Sequence, residues 1–141
     1  MTYEIVVNNS GVMEPQPLNS SEKFLNSENL PISDKTIGDY WQWAFSDLIG
    51  NTERGVMAEY LVAIASGSER PVRNSWEPYD IRSSNGTKIE VKSAAYVQSW
   101  VQSKPSQIRF SIRKTLKWVP EENRFGKDRK RHSDLYVFCV L

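Results

Sequence analysis

The tripeptide Ser84-Asn85-Gly86 constrains this chain more than any other feature, because it separates two short runs in which apolar residues alternate with polar ones. The runs are Tyr79-Asp80-Ile81-Arg82 and Lys88-Ile89-Glu90-Val91-Lys92. Asn-Gly between alternating runs is the strongest local signal for a β-hairpin. Its register decides what the acidic residues can do together. A two-residue loop at Asn85-Gly86 pairs Asp80 with Val91 and sends the carboxylates of Asp80 and Glu90 to opposite faces. A three-residue loop with Gly86 in the left-handed bulge position pairs Asp80 with Glu90 directly. In the longer loop Asp80, Arg82, Lys88, Glu90 and Lys92 share one face, while Tyr79, Ile81, Ile89 and Val91 share the other. A half-buried sheet requires that separation of polar from apolar. The longer loop is therefore expected.

Two carboxylates side by side repel, which raises the pKa of at least one of them. A divalent cation between them reverses the sign, and oxygen ligands suit Mg²⁺ or Mn²⁺. Lys92, on the same face, adds a cation or a proton-transfer group. That trio suits phosphodiester hydrolysis, where a metal and a lysine offset charge on the scissile phosphate and activate water. Acidic-x-Lys arises by chance about once in a chain of this size, and Asp128-Arg129-Lys130 repeats it in a polar run without strand pattern. The same residues also read as a solvated strand face.

The segment from Arg54 to Ala65 reads as a helix that is apolar nearly all round, hence buried, with Asn51 or Thr52 as its cap and Gly67 as its end. Glu59 is the only charge in its interior. A buried carboxylate needs a partner, a metal or a proton. The plain alternative is a glutamate at the helix edge paired with an arginine such as Arg54 or Arg73.

Taken in order, helix Glu59, then Asp80 opening a strand, then Glu90-Val91-Lys92 on the next strand, resembles the PD-(D/E)XK nuclease superfamily. The resemblance covers roughly residues 51–141. The literal Pro-Asp pair is absent: the run is Pro78-Tyr79-Asp80, with the acid one position late. The resemblance implies an α/β, restriction-endonuclease-like fold, with helices packed on a central mixed β-sheet. It implies Mg²⁺, with Mn²⁺ able to substitute, held by Asp80, Glu90 and the Val91 carbonyl, with Glu59 acting through water or on a second ion. Lys92 would orient or deprotonate the attacking water, or stabilise the pentacovalent phosphate. Ser93 to Trp100 is similar to the tract after the motif in some subfamilies, where a glutamine approaches the site, and this makes Gln98 a candidate. The implied activity is metal-dependent endonucleolytic cleavage of DNA, with a homodimer left open. The alternative is a non-catalytic nucleic-acid-binding or assembly module that keeps the fold.

With 141 residues the chain has room for one sizeable core. No run approaches the length of a membrane span, and no secretory signal opens the chain, so no membrane partner is expected. A single cysteine, Cys139, fits a reducing cytoplasm and, with the single histidine His132, makes a zinc site or a Cys–His nucleophile pair a poor reading. Net charge is only +1, but its distribution is uneven. Beyond residue 103 the bases include Arg109, Arg113, Lys117, Arg129, Lys130 and Arg131, and the only acids are Glu121, Glu122, Asp128 and Asp134. A basic half beside a carboxylate cluster would draw phosphates toward an otherwise repulsive pocket.

Along the chain, Tyr3 to Val7 reads as a short strand or a fraying end, and residues 1–35 as a poorly ordered lead-in to a domain over 36–141. Ser33 or Asp34 would cap a helix running to about Leu48, with Ile37, Tyr40, Trp41, Ala44, Phe45 and Leu48 at core spacing. Ile108, Phe110 and Ile112 alternate with basic residues, as in a strand. Pro120 to Ser133 reads as a polar loop, and Leu135 to Leu141 as a central strand buried on both sides. The family continues with a further helix and strand, so the resemblance implies a truncated C-terminus.

Overall fold

The computed structural model describes residues 6–7, 13–68, 70–119 and 122–141. Tyr3, Glu4 and Ile5 of the expected first strand, and Pro120 and Glu121 of the expected loop, lie outside the described residues. The fold is mixed α/β, with two helices and several small sheets among the described residues. It divides into two compact units, residues 1–47 and 48–141.

In the first unit, β1 (Val6–Val7) pairs antiparallel with β2 (Met13–Glu14), and β3 (Lys23–Leu25) with β4 (Pro31–Thr36). The segment read as a lead-in thus carries β-hairpins. Their signal is hidden in side-chain chemistry rather than hydropathy. The Asn26 side chain accepts from the N–H groups of Glu28 and Leu30, and Asn29 takes φ 61°, a left-handed conformation that asparagine tolerates. Helix α1 (Ile37–Phe45) starts later and stops earlier than its apolar spacing suggests. Its cap is Thr36, in a reciprocal capping box with Asp39, because residues 31–36 are committed to β4.

The second unit contains α2 (Asn51–Ala65), β5 (Ile81–Arg82), β6 (Lys88–Ala94), β7 (Trp118–Val119), β8 (Arg124–Phe125) and β9 (Leu135–Val140). Its main sheet has the order β5-β6-β9, antiparallel between β5 and β6 and parallel between β6 and β9. Helix α2 covers one face. Ala58 packs with Ile81, Ile89 and Val91 in the core, joined by Val62, Ala63, Val137 and Cys139. Residue 67 ends the helix in a Schellman motif: Gly67 N–H donates to the Ile64 carbonyl and Ser68 N–H to the Ala63 carbonyl. The helix is not buried all round. Tyr60, Leu61 and Ile64 are exposed on the side away from the core residues. Among the described residues, no helix is long and apolar enough to cross a membrane.

The hairpin takes the longer loop. Ile81 faces Ile89, Arg82 faces Lys88, Ser83 N–H donates to the Thr87 carbonyl, and Gly86 N–H donates back to Ser83. Gly86 has φ 88° with open space around the position of a Cβ. Gly86→Ala therefore meets backbone strain alone, and a loss of about 1–2 kcal/mol is expected in urea unfolding.

Two strand assignments are corrected. Residues 105–114 form no strand, although Phe110 stacks on Phe138 with ring centroids 4.7 Å apart. Alternation there reflects which side chains face the sheet, without a neighbouring backbone to complete a ladder. The other is β9: it lies at the sheet edge, and β6 is the middle strand. Val137 and Cys139 face the core, while Leu135, Phe138 and Val140 are about half exposed.

Candidate functional site

Asp80 immediately precedes β5, and its N–H donates to the Ile89 carbonyl at 3.0 Å, one residue out of step with the Ile81–Ile89 pairing. Its carboxylate turns to β6, where Oδ2 accepts from the Val91 N–H, beside Glu90 in the chain. Lys92 follows Glu90 on the same face, and its ammonium is ion-paired with Glu90 Oε1. Ser133 Oγ donates to Glu90 Oε2 at 3.3 Å.

Asp80 is electrostatically uncomfortable. Burial is the main reason its pKa is pushed up to about 6, reinforced by the charges of Glu90 and Glu59. The Val91 N–H, donating to Asp80 Oδ2 at 2.7 Å, and the ammonium of Lys92 oppose the shift without cancelling it. Glu59 is thus close enough to the hairpin to be felt by Asp80, yet it also has an arginine of its own. Arg73 engages both of its carboxylate oxygens, Nη2 to Oε1 at 2.9 Å and Nε to Oε2. The guanidinium of Arg73 is pushed above its ordinary pKa, first by the hydrogen bonds to Glu59 and, less, by the charge of Asp80. Glu59 thus acts on Asp80 by its charge while ion-paired to Arg73.

Gln98 is placed elsewhere. It donates to the Ala95 carbonyl at 2.9 Å and accepts weakly, at 3.5 Å, from Arg54. Arg54 is 4% exposed, with hydrogen bonds to the Ile49 carbonyl and the Asn51 side chain. The glutamine is therefore engaged with a buried arginine rather than with Asp80 or Glu90. Val91 contributes its N–H to Asp80 and its side chain to the core.

A cavity of about 170 Å³ opens beside Glu90 and Lys92, lined also by Arg113, Thr115, His132 and Tyr136 among others, and Asp80 is not part of its wall. Three of these were not legible as site residues. Tyr136 arrives because parallel pairing sets it beside Glu90. His132, read as a loop residue, stands with its Nε2 3.0 Å from the Thr115 carbonyl oxygen. Thr115 is held by reciprocal backbone hydrogen bonds to Lys130. The bases expected to face DNA are dispersed: Arg113 lines the cavity, Arg109 is bonded to Gln107, and Arg131 donates to the Ile112 carbonyl. Lys117, Arg129 and Lys130 have exposed side chains.

The donors at the pair are all oxygen, the set that Mg²⁺ and Mn²⁺ prefer. Among the described residues, no three His, Cys, Asp or Glu side chains form a group that could hold a metal ion. Two carboxylates are nevertheless enough for Mg²⁺, which keeps several waters and takes phosphate oxygens from its substrate. Beyond burial, the charges of Glu90 and Glu59 add to the raised pKa of Asp80, and a cation would offset that part. No protein-family model, no curated protein and no solved structure matches the chain.

Proposed function

We propose that the chain is a metal-dependent endonuclease that hydrolyses DNA phosphodiester bonds on a restriction-endonuclease-like scaffold of the PD-(D/E)XK kind. One observation supports the reading: the Asp80 carboxylate meets β6 at the Val91 N–H, the residue between Glu90 and Lys92, and the charges of both act on it. Asp80 and Glu90, with the Val91 carbonyl, would hold Mg²⁺. Bound there, the ion would supply positive charge against the phosphate oxygens. Lys92, kept in place by Glu90, would orient or deprotonate the attacking water, or meet charge on the pentacovalent phosphate. Glu59, clamped by Arg73, would add negative charge at a distance rather than a direct ligand. Arg113 and the exposed Lys117, Arg129 and Lys130 would attract the DNA backbone.

The Arg73 clamp on Glu59 favours the second reading, a DNA-binding or assembly module without catalysis, because the helix acid already has a partner inside the chain. Calorimetric titration with Mn²⁺ tests the site without a substrate. Wild type is expected to bind the ion, and Asp80→Ala to lose that heat signal at the same concentrations. Equal titrations of the two proteins would remove Asp80 from the site. A folded wild type that binds DNA yet leaves duplex, branched and single-stranded substrates intact in Mg²⁺ and Mn²⁺ would establish the second reading.

A further inference from the structure

Trp76, Trp118 and Phe125 form an aromatic cluster that the proposed chemistry does not use. Trp118 lies on β7 and Phe125 directly opposite it on β8, with ring centroids 5.1 Å apart and planes at 75°. Trp76, from the segment before the hairpin, sits 5.9 Å from Trp118 at 43°. The half-buried Trp118 supplies the packing between them. Its two neighbours remain largely in water, Trp76 69% exposed and Phe125 58%. Trp76 lies two residues before Pro78, which lines the cavity beside Lys92, and Trp118 lies three residues after Thr115, which lines it too. Trp76 and Trp118 are therefore each joined through a short stretch of chain to the wall of the candidate site.

Large exposed rings beside cations are the elements from which proteins build stacking platforms for unpaired bases. Lys117 and Lys127 flank β7 and β8 with exposed side chains, and Arg129 and Lys130 follow in the same loop. Positive charge of that kind complements a phosphate backbone and disfavours a basic peptide. A base inside duplex DNA has both faces covered by its neighbours, so only an unpaired or terminal base can lie on Trp76.

We propose that Trp76, with Phe125, forms a stacking platform for an unpaired base, so that this protein engages DNA carrying a single-stranded segment next to the phosphate held at Lys92. The placement of the phosphate rests on the nuclease reading; the platform itself does not. Fluorescence anisotropy with a labelled single-stranded oligothymidylate, in EDTA to prevent cleavage, measures the platform alone, with a blunt duplex of equal length as the comparison. Wild type is expected to bind the single strand more tightly than the duplex. Trp76→Leu keeps an apolar contact with Trp118 but removes the ring face, and it should weaken single-strand binding about tenfold while leaving duplex binding unchanged. Trp76→Phe should recover most of the loss, a rescue that a packing role alone would not need. Equal binding by Trp76→Leu and wild type, equal affinity of wild type for the two DNAs, or no single-strand binding at all would each overturn the platform. DNA cleavage with an unaffected Trp76→Leu would leave the nuclease standing and remove the platform. A Trp76-dependent single-strand preference without any cleavage would do the reverse.

Discussion

Lys92→Ala is expected to bind DNA nearly as wild type does and to cut it about 10²–10⁴-fold more slowly in Mg²⁺, the range associated with losing one proton-transfer group. A lysine at the scissile phosphate acts mainly on the transition state, so its loss should fall on kcat rather than on affinity. Its neighbours sharpen the expectation. Lys92 is ion-paired to Glu90, which also accepts from Ser133. Removing the ammonium leaves Glu90 beside Asp80 with less compensation, so Mn²⁺ affinity should hold or rise while turnover collapses. Single-turnover cleavage alongside equilibrium binding separates the two effects. A variant that loses binding and cleavage together would place Lys92 among the groups that hold the DNA backbone. Neutralising Arg129 and Lys130 gives the contrast: weaker binding and a salt slope reduced by about 0.9 for each phosphate that the protein no longer neutralises.

Asp80→Asn should abolish cleavage and make the protein more stable at neutral pH. The wild-type carboxyl has a folded pKa of about 6, against about 3.9 in an unfolded chain. Because the folded value is the higher one, folding favours the protonated form. That contribution is fully present below the unfolded pKa and is lost as pH rises through about 6. At pH 8 the ionised wild-type group therefore opposes folding, and asparagine does not. Discounted for partial solvent screening, the variant should gain about 1–2 kcal/mol at pH 8. The difference should close below about pH 4, where both side chains are neutral. Urea unfolding of both proteins in EDTA between pH 3.5 and pH 8 reads this directly, as a gap that opens through the range near 6. A gap independent of pH would mean that burial and the neighbouring acids do not act on Asp80. Saturating Mn²⁺ should reverse the order, because the ion stabilises only the folded protein that keeps the aspartate.

The hairpin was legible because its turn is local chemistry. Ser84-Asn85-Gly86 permits a left-handed glycine, and the polar–apolar alternation on either side leaves one register that buries Ile81, Ile89 and Val91 together. What lies beside the hairpin was not. The apolar run Leu135–Leu141 looks alike on both faces, so it does not reveal that Val137 meets α2 while Phe138 meets Phe110. Tyr136 and Ser133 reach Glu90 through parallel pairing between distant segments, which no local pattern encodes. Glu59 was recognisable as a charge needing a partner, and Arg73 was one of the two partners considered. That it is also felt by Asp80 follows only from three-dimensional placement. Gln98 was suggested by resemblance, and the structure sets its side chain 3.5 Å from the buried guanidinium of Arg54, a neighbour that no local pattern announces.

Parallel pairing of β6 with β9 also sets an order of events in folding. The carboxylate pair lies within one hairpin, whose strands are joined by a tight turn, and such hairpins close in about 1–10 μs. The cavity wall must wait for pairings such as that between Lys88 and Asp134, which are 46 residues apart in sequence. Closing that longer loop costs more entropy before any ladder bond repays it, so β9 docks after the hairpin. Asp80 and Glu90 are then brought together before Ser133 and Tyr136 arrive to surround Glu90. Pulse-labelled hydrogen exchange should register this as early protection of the Val91 amide and later protection of Leu141, whose N–H donates to the Ala94 carbonyl. For a short interval the nascent domain holds its most repulsive feature exposed to water, where the two acids are least costly to bring together.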